Sequence, residues 1–487
     1  MAGSLPTAPG ESAGVPDADF PLDRLGWIDA FFAQVQEHLC IRPADAVLIL
    51  PPSQVLRLNA GGLRVLEHLG RGLPVAGLPG LQPGARARQV HDFMSDLRDL
   101  YLGDTRGLDQ RPAVELVPYG FDFTRLPVLG EIALTYRCNN RCRFCYAGCG
   151  GNDGPATPSA GAGGDGREMT TVEVQRVIRL FREEAQLPFF SFTGGEPLLR
   201  ADLEELIRFA RGQGLAVNLI TNGTLATPAR ARRLAAAGLP TAQVSLEAPD
   251  EELHDLLTGR RGAFAETLAG IASLQQAGIE VQTNTTITRP SADRIAALPA
   301  FLAGLGVRRC SLNLCIPTGT ARTAADLLLP YQEVGPLLEE VRRAARTAGI
   351  GLLWYSPTPH CLYNPIARGF GNKSCAAMDG LLSVSPQGDV LPCSSYPQPL
   401  GNLLREEFST IWFSAAARFF KEKRHAPAEC QGCASFVACQ GACPLYWQAV
   451  GTAELAGRRR APSGDAEPGA ARVPGPGGWV AAPAATS

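Results

Sequence analysis

From about Leu129 onward, apolar strands alternate with Ala- and Leu-rich helical segments, and this repetition restricts the fold more than any other feature. Six segments have strand character: "EIALTY", "PFFSFTGG", "AVNLITN", "TAQVSLE", "EVQTNTTI" and "RRCSLNLC". Helical patterns such as "DLEELIRFARGQG" separate them. Alternation of this kind predicts parallel βαβ units and therefore an α/β fold. Six repeats predict a partial (β/α)6 TIM-like barrel, over residues 128–335, better than a full eight-fold barrel.

The region before the repeats, residues 22–110, has a different pattern. Two short strands, "AVLIL" and "VLRL", flank the turn signal "PPSQ", and helical segments precede and follow them. This order predicts a compact winged-helix-like α+β domain. Residues 1–21, 150–166 and 455–487 are rich in Pro, Gly and Ala, and we expect a flexible N-terminus, a flexible insertion and a disordered tail.

The bulk composition excludes several classes of protein. The 487 residues carry a net charge of −2, which argues against a general nucleic-acid or membrane-surface binder. There is no apolar run of membrane-spanning length and no secretory signal at the N-terminus, so we expect a cytoplasmic protein. The cytosol keeps thiols reduced, so the 14 cysteines indicate metal binding more than disulfides.

Three cysteines, Cys138, Cys142 and Cys145, follow the first predicted barrel strand directly. The carboxyl ends of parallel strands are where α/β folds build active sites. Closely spaced thiolates suit zinc or an iron–sulfur cluster. A closed structural zinc site requires four ligands, whereas three cysteines leave one iron of a cubane open to a substrate or cofactor. The pattern therefore favours a catalytic cluster.

CxxxCxxC after the first strand, with Phe144 before the last cysteine, resembles the radical S-adenosylmethionine (SAM) superfamily. The resemblance implies a [4Fe–4S] cluster held by these three cysteines. Its open iron would bind SAM, which is cleaved reductively to a radical that abstracts a hydrogen from the substrate. Cys149 would then be a non-ligand, since a fourth thiolate would exclude SAM. The alternative is zinc, or cysteines of an ordinary core.

Residues at the following strand ends resemble the SAM pocket of that family. "SFTGGEPLLR" contains a Gly-Gly-Glu motif, and "ITNGT", "VSLEAPD" and "TNTTI" end later strands. By resemblance, the cofactor-binding residues are Phe144, Gly194, Gly195, Glu196, Thr221, Asn222, Ser245, Glu247 and Asn284. Each polar member could equally satisfy loop backbone groups at a strand end.

A second cysteine field fills residues 336–454, where "CQGCASFVACQGAC" gives CxxCxxxxxCxxxC. This field resembles the SPASM extension of radical SAM enzymes, a cysteine-rich iron–sulfur domain with auxiliary clusters. The resemblance assigns Cys361, Cys375, Cys393 and Cys443 to an inner auxiliary cluster and Cys430, Cys433 and Cys439 to an outer one. No cysteine follows Cys443, so the outer cluster lacks one ligand, is completed by another residue, or is absent. The alternative is a zinc ribbon.

Four further positions qualify the assignment. Cys310 and Cys315 flank a barrel strand and fit core positions, although Cys315 and Arg322 could face a substrate. Anaerobic sulfatase maturases, which this chain resembles, carry an Asp after the cysteine equivalent to Cys393. Ser394 stands there instead, which weakens a maturase assignment. No residue is assigned as a catalytic acid or base.

The segment "ADAVLILPPSQVLRLNAGGLRVLEHLGRG" resembles the PqqD-like domain of peptide-modifying radical SAM enzymes, which captures a leader peptide as an added strand. A structural winged-helix cap or a nucleic-acid-binding domain is the alternative, but the segment has no basic patch. The whole resemblance implies an enzyme that matures a ribosomally made precursor peptide by a thioether or carbon–carbon crosslink, with an electron donor such as flavodoxin or ferredoxin. A radical SAM enzyme acting on a folded protein or small molecule, and a metal-binding adaptor, are the other hypotheses.

Overall fold

The computed structural model describes residues 17–50, 54–102, 110–116, 123–149, 167–370, 374–457 and 479–481. The insertion 150–166 and most of the predicted flexible N-terminus and disordered tail lie outside the described residues. The chain forms two compact units, Met1–Arg125 with Pro462–Thr486 and Leu126–Ala461.

The N-terminal unit packs three helices against a small sheet. Its elements are α1 (Trp27–Val35), β1 (Cys40–Arg42), β2 (Val47–Leu50), β3 (Gln54–Arg57), α2 (Ala60–Gly70), α3 (Ala85–Tyr101) and β4 (Val114–Leu116). Strands β1, β2 and β3 are antiparallel neighbours, and β2 and β3 match the two predicted strands. Apolar side chains of the sheet, such as Leu48 and Leu56, share one core with Phe31 of α1.

The second unit begins with seven parallel strands, and the predicted partial α/β barrel is confirmed. The strands are β5 (Leu129–Ala133), β6 (Phe189–Thr193), β7 (Ala216–Thr221), β8 (Thr241–Ser245), β9 (Glu280–Ile287), β10 (Arg309–Leu314) and β11 (Gly351–Trp354). The helices between them are α4 (Thr171–Glu183), α5 (Leu203–Gly212), α6 (Pro228–Ala236), α7 (Glu251–Thr258), α8 (Ala263–Gln276), α9 (Leu298–Gly304) and α10 (Tyr331–Ala348). The strands β5 to β11 lie side by side in chain order. Six strands were predicted, and the short β11 adds a seventh.

One face of each barrel strand packs against the helices. A Cβ placed on Gly130 would lie 2.6 Å from the ring of Phe181 on α4, so this face of β5 is in tight contact with the helical layer. Ile132 points to the same side and belongs to the main core. Glu131, between them, therefore points to the opposite face, the barrel interior.

The cysteine-rich region continues the same sheet. Strand β12 (Leu381–Val384) lies parallel to β5, and β13 (Asp389–Leu391) and β14 (Gly401–Asn402) follow as antiparallel neighbours. Four short helices complete it: α11 (Phe408–Trp412), α12 (Ala415–Lys421), α13 (Phe436–Cys439) and α14 (Pro444–Val450). The predicted domain boundary at residues 335–336 falls inside α10. Among the described residues, none of the helices has the length and apolar character needed to span a membrane.

A last strand returns to the N-terminal unit. β15 (Trp479–Ala481) lies in the segment expected to be disordered, and it pairs antiparallel with β3 and parallel with β4. The edge of β3 is therefore covered by an extended segment of the chain itself.

Candidate functional site

The loop after β5 carries Cys138, Cys142 and Cys145 and is fixed by backbone contacts on two sides. The amide of Arg141 donates to the carbonyl of Thr258 at the end of α7 (2.9 Å). The amide of Thr320, in the loop after β10, donates to the carbonyl of Cys145 (3.0 Å). The loop thus contacts the segments that follow β8 and β10, and active sites of such folds are built from the segments that follow the strands.

The three thiols form one electrostatic group. Burial raises the pKa of Cys142, and the neighbouring Cys145 and Cys138 raise it further, so the three sulfur atoms are close to one another. Burial also raises the pKa of Cys138 to about 11. Cys138 and Cys142 thus disfavour ionisation in the free protein, and a cation or cluster would bind their thiolates and remove the repulsion between them.

Cys149 has a different environment from the other three cysteines. Its side chain is 2% exposed, and its thiol donates to the carbonyl of Tyr136 (2.9 Å). The adjacent Cys149 side chain lowers the pKa of Cys145 to about 7, so the two side chains are neighbours. The role of Cys149 as a non-ligand stays a prediction.

The two glycines of the Gly-Gly-Glu motif allow two loops to touch. The amide of Gly195 donates to the carbonyl of Thr135 (2.7 Å). A Cβ on Gly194, whose φ is 133°, would lie 2.2 Å from that same oxygen, and one on Gly195 would lie 2.3 Å from the carbonyl of Arg137. The sequence predicted close approach to a ligand; the structure shows that these glycines admit the backbone that precedes the cysteines.

Glu196 is a fully buried hub at the end of β6. Its Oε1 accepts from the amide of Leu198 (2.9 Å) and the hydroxyl of Thr221 (2.7 Å), and its Oε2 accepts from the amide of Asn222 (2.8 Å). Burial raises its pKa to about 7 despite these donors. Its hydrogen bonds hold the ends of β6 and β7 together.

Asn222 connects this hub to the cysteine loop. Its amide nitrogen donates to the side-chain oxygen of Asn139 (2.9 Å) and lies 3.9 Å from the Sγ of Cys138. The predicted residues Glu196, Thr221 and Asn222 are thus brought together beside the first cysteine.

The remaining predicted pocket residues lie in three places. Phe144 packs against a small apolar cluster that includes Leu257 and Cys315. Glu247 is 3% exposed and accepts from the amide of Thr286 (2.8 Å), and burial raises its pKa to about 8. Ser245 and Asn284 are register partners on β8 and β9, and Asn284 accepts from the hydroxyl of Ser311 (2.8 Å).

Apart from Asn284, sequence reasoning missed a polar layer inside the barrel. Its members alternate with core residues along the strands: Glu131, Ser191, Asn218, Gln243, Asn284, Ser311 and Ser383. The hydroxyl of Ser383 donates to Oε1 of Glu131 (2.6 Å), and Gln243 donates to Ser311 (3.1 Å). Burial raises the pKa of Glu131, although hydrogen bonds from Ser383 and Ser394 oppose this. The polar alternation within "AVNLIT" and "TAQVS" was the available signal.

Cys375, Cys393 and Cys443, here called the inner set, lie together next to the barrel. Burial raises the pKa of Cys393, and Cys375 and Cys443 raise it further, with Glu131 as a smaller contributor. The ammonium group of Lys423 is fully buried, donates to the carbonyl of Cys375 (2.6 Å) and is paired with Asp379 (3.1 Å).

Four other cysteines, Cys361, Cys430, Cys433 and Cys439, form what we call the outer set. Burial raises the pKa of Cys430 to about 12, followed by the charges of Cys439, Cys361 and Cys433. The amide of His360 donates to the Sγ of Cys439 (3.3 Å), which places the neighbouring Cys361 beside that sulfur. The resemblance assigned Cys361 to the inner cluster, and the structure places its neighbour His360 within hydrogen-bond distance of Cys439 of the predicted outer cluster.

The other cysteines of interest are buried. Cys310 and Cys315 are each 1% exposed and belong to apolar clusters, whereas Arg322 is exposed. Within the described residues, no group of three or more His, Cys, Asp or Glu side chains converges closely enough to hold a single metal ion. A cubane distributes its thiolates over four iron atoms, so its ligands need not converge on one point.

Two family models match the chain. The radical SAM superfamily model matches residues 132–291, and the SPASM iron–sulfur cluster-binding domain matches residues 375–434. The AdoMet-dependent heme synthase of Oleidesulfovibrio alaskensis is 31% identical over 326 residues, 63% of this chain and 80% of the relative. The PqqA peptide cyclase of Ruegeria pomeroyi is 30% identical and covers 63% of this chain and 79% of its own length. The chain therefore belongs to the radical SAM superfamily and carries a SPASM domain.

A solved structure is similar over a longer stretch. The crystal structure of Streptococcus suis SuiB bound to precursor peptide SuiA covers 84% of this chain and 95% of its own, with a TM-score of 0.61 and 16% identity. At this low sequence identity, the structural similarity shows a shared fold alone.

The two domains define the cofactors. A radical SAM domain uses a [4Fe–4S] cluster with SAM, and a SPASM domain carries auxiliary iron–sulfur clusters. The residues present fit these groups, because the structure gathers thiols into three sets with soft donors, the first of which has three cysteines.

Proposed function

We propose that this chain is a radical SAM enzyme that modifies a ribosomally made precursor peptide, forming a thioether or carbon–carbon crosslink. Cys138, Cys142 and Cys145 would hold the first cluster. When bound, that cluster and SAM supply a reductively generated radical that abstracts a hydrogen from the substrate.

The chain's own residues would bind and orient SAM at the strand ends. Glu196 would act through its neighbours, since its oxygens already accept from Leu198, Thr221 and Asn222. The side chain of Asn222 lies between that network and Cys138, so the position of SAM would depend on the position of the cysteine loop. Ser245, Glu247 and Asn284 are proposed to line the ribose and carboxylate side of the pocket, with Phe144 packed beside the cluster loop.

The observation that best supports a peptide substrate is the extent of the structural similarity to SuiB in complex with its precursor peptide. That similarity covers 84% of the chain, more than the unit Leu126–Ala461 contains, so it extends into the N-terminal unit. The relationship to PqqA peptide cyclase supports the same class of substrate. We propose that the N-terminal unit is a PqqD-like leader-binding domain.

The edge of β3 supports a docking mode for the leader. It already accepts an antiparallel strand, with Val480 opposite Arg57 and Ala481 opposite Leu56. Strand addition supplies main-chain hydrogen bonds to an extended peptide whatever its side chains. A leader would pair with residues near 45–60 in the same way, in place of β15. A flavodoxin or ferredoxin would supply the electron.

A second candidate function is a step in heme synthesis. It is favoured by the 31% identity to AdoMet-dependent heme synthases, which is as high as that to the peptide cyclase. The two candidates differ in their substrate, while the first cluster and SAM serve both.

The test is anaerobic iron quantification and SAM cleavage by the reconstituted full chain, with Cys142→Ala as the matched variant. We expect roughly eight to twelve irons per chain and 5′-deoxyadenosine from the wild type only. Precursor peptides encoded beside the gene are synthesised and added in one assay. A heme precursor is added in a separate assay. Faster cleavage and a mass change with a peptide support the proposal; the same response to the heme precursor alone supports the second candidate. Zinc instead of iron, or no cleavage, contradicts both.

A further inference from the structure

We propose that the space between β3 and β4 is a groove for one extended peptide strand, and that β15 is an occupant of this groove supplied by the same chain. A precursor leader must then displace β15 in order to bind there. The groove and its occupant rest on the strand pairing of the N-terminal unit alone. Displacement by a leader rests on the proposed function and deepens it, because leader binding becomes a competition with the chain's own C-terminal segment.

Strand β15 lies between two strands that it alone connects. The strand order in this sheet is β1, β2, β3, β15 and β4, so β15 is the only strand partner of β4 among the described residues. All three residues of β15 have register partners on β4. Two of them, Val480 and Ala481, also lie opposite Arg57 and Leu56 of β3. Without β15, a gap one strand wide would separate the backbone of β3 from that of β4.

Such a groove recognises the backbone of its ligand. A peptide that lies between two strands finds hydrogen-bonding partners for its amides and carbonyls on both sides, whatever its side chains are. A strand that is added to an open sheet edge finds them on one side only. The groove between β3 and β4 is therefore a stronger site for an extended segment than either edge would be by itself.

Strand β15 has the properties of an occupant that can be exchanged. It is three residues long, one fewer than β3. In the sequence, Gly477 and Gly478 directly precede it, and Pro483 follows two residues after its end. Glycine and proline are both unfavourable inside strands, so extension of β15 in either direction is disfavoured. A leader with a longer uninterrupted strand would form more backbone hydrogen bonds and would compete with β15.

The covalent connection gives β15 an advantage over a free peptide. A segment of the same chain binds intramolecularly, at an effective concentration that a free peptide must offset by its own affinity. The apparent dissociation constant of a leader equals its intrinsic value divided by the fraction of molecules in which the groove is open. Strand β15 therefore sets a threshold that excludes weakly binding peptides and admits a leader with a long extended segment.

Hydrogen exchange in the full-length protein tests whether β15 occupies the groove. Val480→Pro removes a backbone amide from a strand that is paired on both sides. We expect the amides of β4 to exchange at least about tenfold faster in Val480→Pro than in the wild type, and those of α2 to keep their exchange rates. Ala485→Pro, which lies outside β15, is the matched control and should behave as the wild type.

Three results of this experiment overturn the proposal. The first is unchanged exchange of the β4 amides in Val480→Pro, and the second is equal acceleration in Ala485→Pro. The third is faster exchange of α2 in Val480→Pro, which would make β15 a required part of the folded unit and not an exchangeable occupant.

A separately supplied peptide tests whether the groove accepts another strand. The probe is the synthetic peptide "PGPGGWVAAPAATS", residues 474–487 of this chain. At about 1 mM we expect it to slow the exchange of the β4 amides in Val480→Pro at least about threefold. The same peptide with the Val480→Pro change should have no effect. No slowing by the first peptide, or equal slowing by both, overturns the groove as a binding site.

The precursor peptides of the SAM cleavage assay test the displacement of β15. In calorimetric titrations we expect a precursor peptide to bind Val480→Pro at least about threefold more tightly than it binds the wild type or Ala485→Pro. Equal affinities, or no binding to any of the three proteins, overturn the competition between leader and β15. The exchange experiments contain no substrate, so the failure of the groove is distinguishable from the failure of the proposed function.

Discussion

At the residue scale, one cysteine of the loop, Cys149, changes the pKa of a neighbouring cysteine, Cys145. Cys149 donates to the carbonyl of Tyr136 and, through its thiol, lowers the pKa of Cys145. Its small buried side chain is surrounded by protein, so it can be shortened with little rearrangement.

We predict that Cys149→Ala keeps the first cluster and SAM cleavage, whereas Cys145→Ala abolishes both. The physical reason is that Cys149 is a hydrogen-bond donor and Cys145 a ligand. Iron content and 5′-deoxyadenosine formation under dithionite measure the difference. Loss of about four irons in Cys149→Ala would show that it is a ligand after all.

The Gly-Gly-Glu turn leads to a second prediction at this scale. In Gly194→Ala the added Cβ would collide with the carbonyl of Thr135, and φ lies where side chains are strained. We expect a cost on the order of 1–3 kcal/mol, weaker SAM binding and a lower iron content. Gly212→Ala is the matched control, because a Cβ there meets no atom within 4 Å. Calorimetric SAM titration distinguishes them, and equal affinities in the two variants would contradict this account.

At the scale of elements, helix α3 and the segment leading to β4 are joined by one buried carboxyl group. Oδ2 of Asp96 accepts from the amide of Ala113 (2.9 Å), and Arg111 lies 3.5 Å away. Burial raises the pKa of Asp96 to about 6, from an ordinary value of 3.8. The stability of the folded unit therefore depends on the protonation of Asp96.

We predict that the folded N-terminal unit loses stability as the pH rises from about 4 to 6, because burial disfavours the ionised carboxylate of Asp96. In that range the unfolded chain has already lost the proton that the folded chain retains, so the free energy of unfolding falls with rising pH, by up to about 3 kcal/mol. Asp96→Asn lacks this dependence while its Oδ1 still accepts from Ala113. Amide protection factors of α3, corrected for the intrinsic exchange rate, at pH 4.5 and 7.5 test this.

The exposed Asp23 provides the control, since Asp23→Asn should retain the pH dependence of the wild type. If wild type and Asp96→Asn lose protection equally between the two pH values, Asp96 is not the responsible group.

Several elements could be predicted from local pattern, and others could not. The six barrel strands are bounded by turn signals and follow one another at regular spacing, so they were found. Strand β11 was missed because "GLLW" is four residues long and acquires strand structure only by pairing with β10. Strand β15 has no local signal either, since it is specified by the edge of β3.

At the scale of the whole molecule, the two units have separate cores. Leu48 and Phe31 belong to one, Ile132 and Phe181 to the other. Each unit therefore buries its own apolar surface, which is the requirement for independent folding.

We predict that a chain of residues 126–461 assembles its clusters and cleaves SAM at close to the full-length rate without substrate, but loses affinity for a leader peptide. The control is the full chain with an exposed N-terminal substitution, Leu73→Ala, which should retain both properties. Loss of iron binding by the truncated chain would show that the N-terminal unit supports the barrel directly.

The sequence by itself determined the class of chemistry. The three thiols of the first set lie near one another through chain connectivity alone, and the Gly-Gly-Glu motif after a strand is recognisable as a local feature. Only the tertiary structure decided which distant cysteines share a site. Cys361 is separated from Cys430 by 68 intervening residues, and sequence spacing cannot tell whether it joins Cys375 or Cys439. The backbone hydrogen bond from His360 to Cys439 places the residue before Cys361 beside Cys439, because the fold of the loop after β11, and not the order of the residues, sets which segments meet.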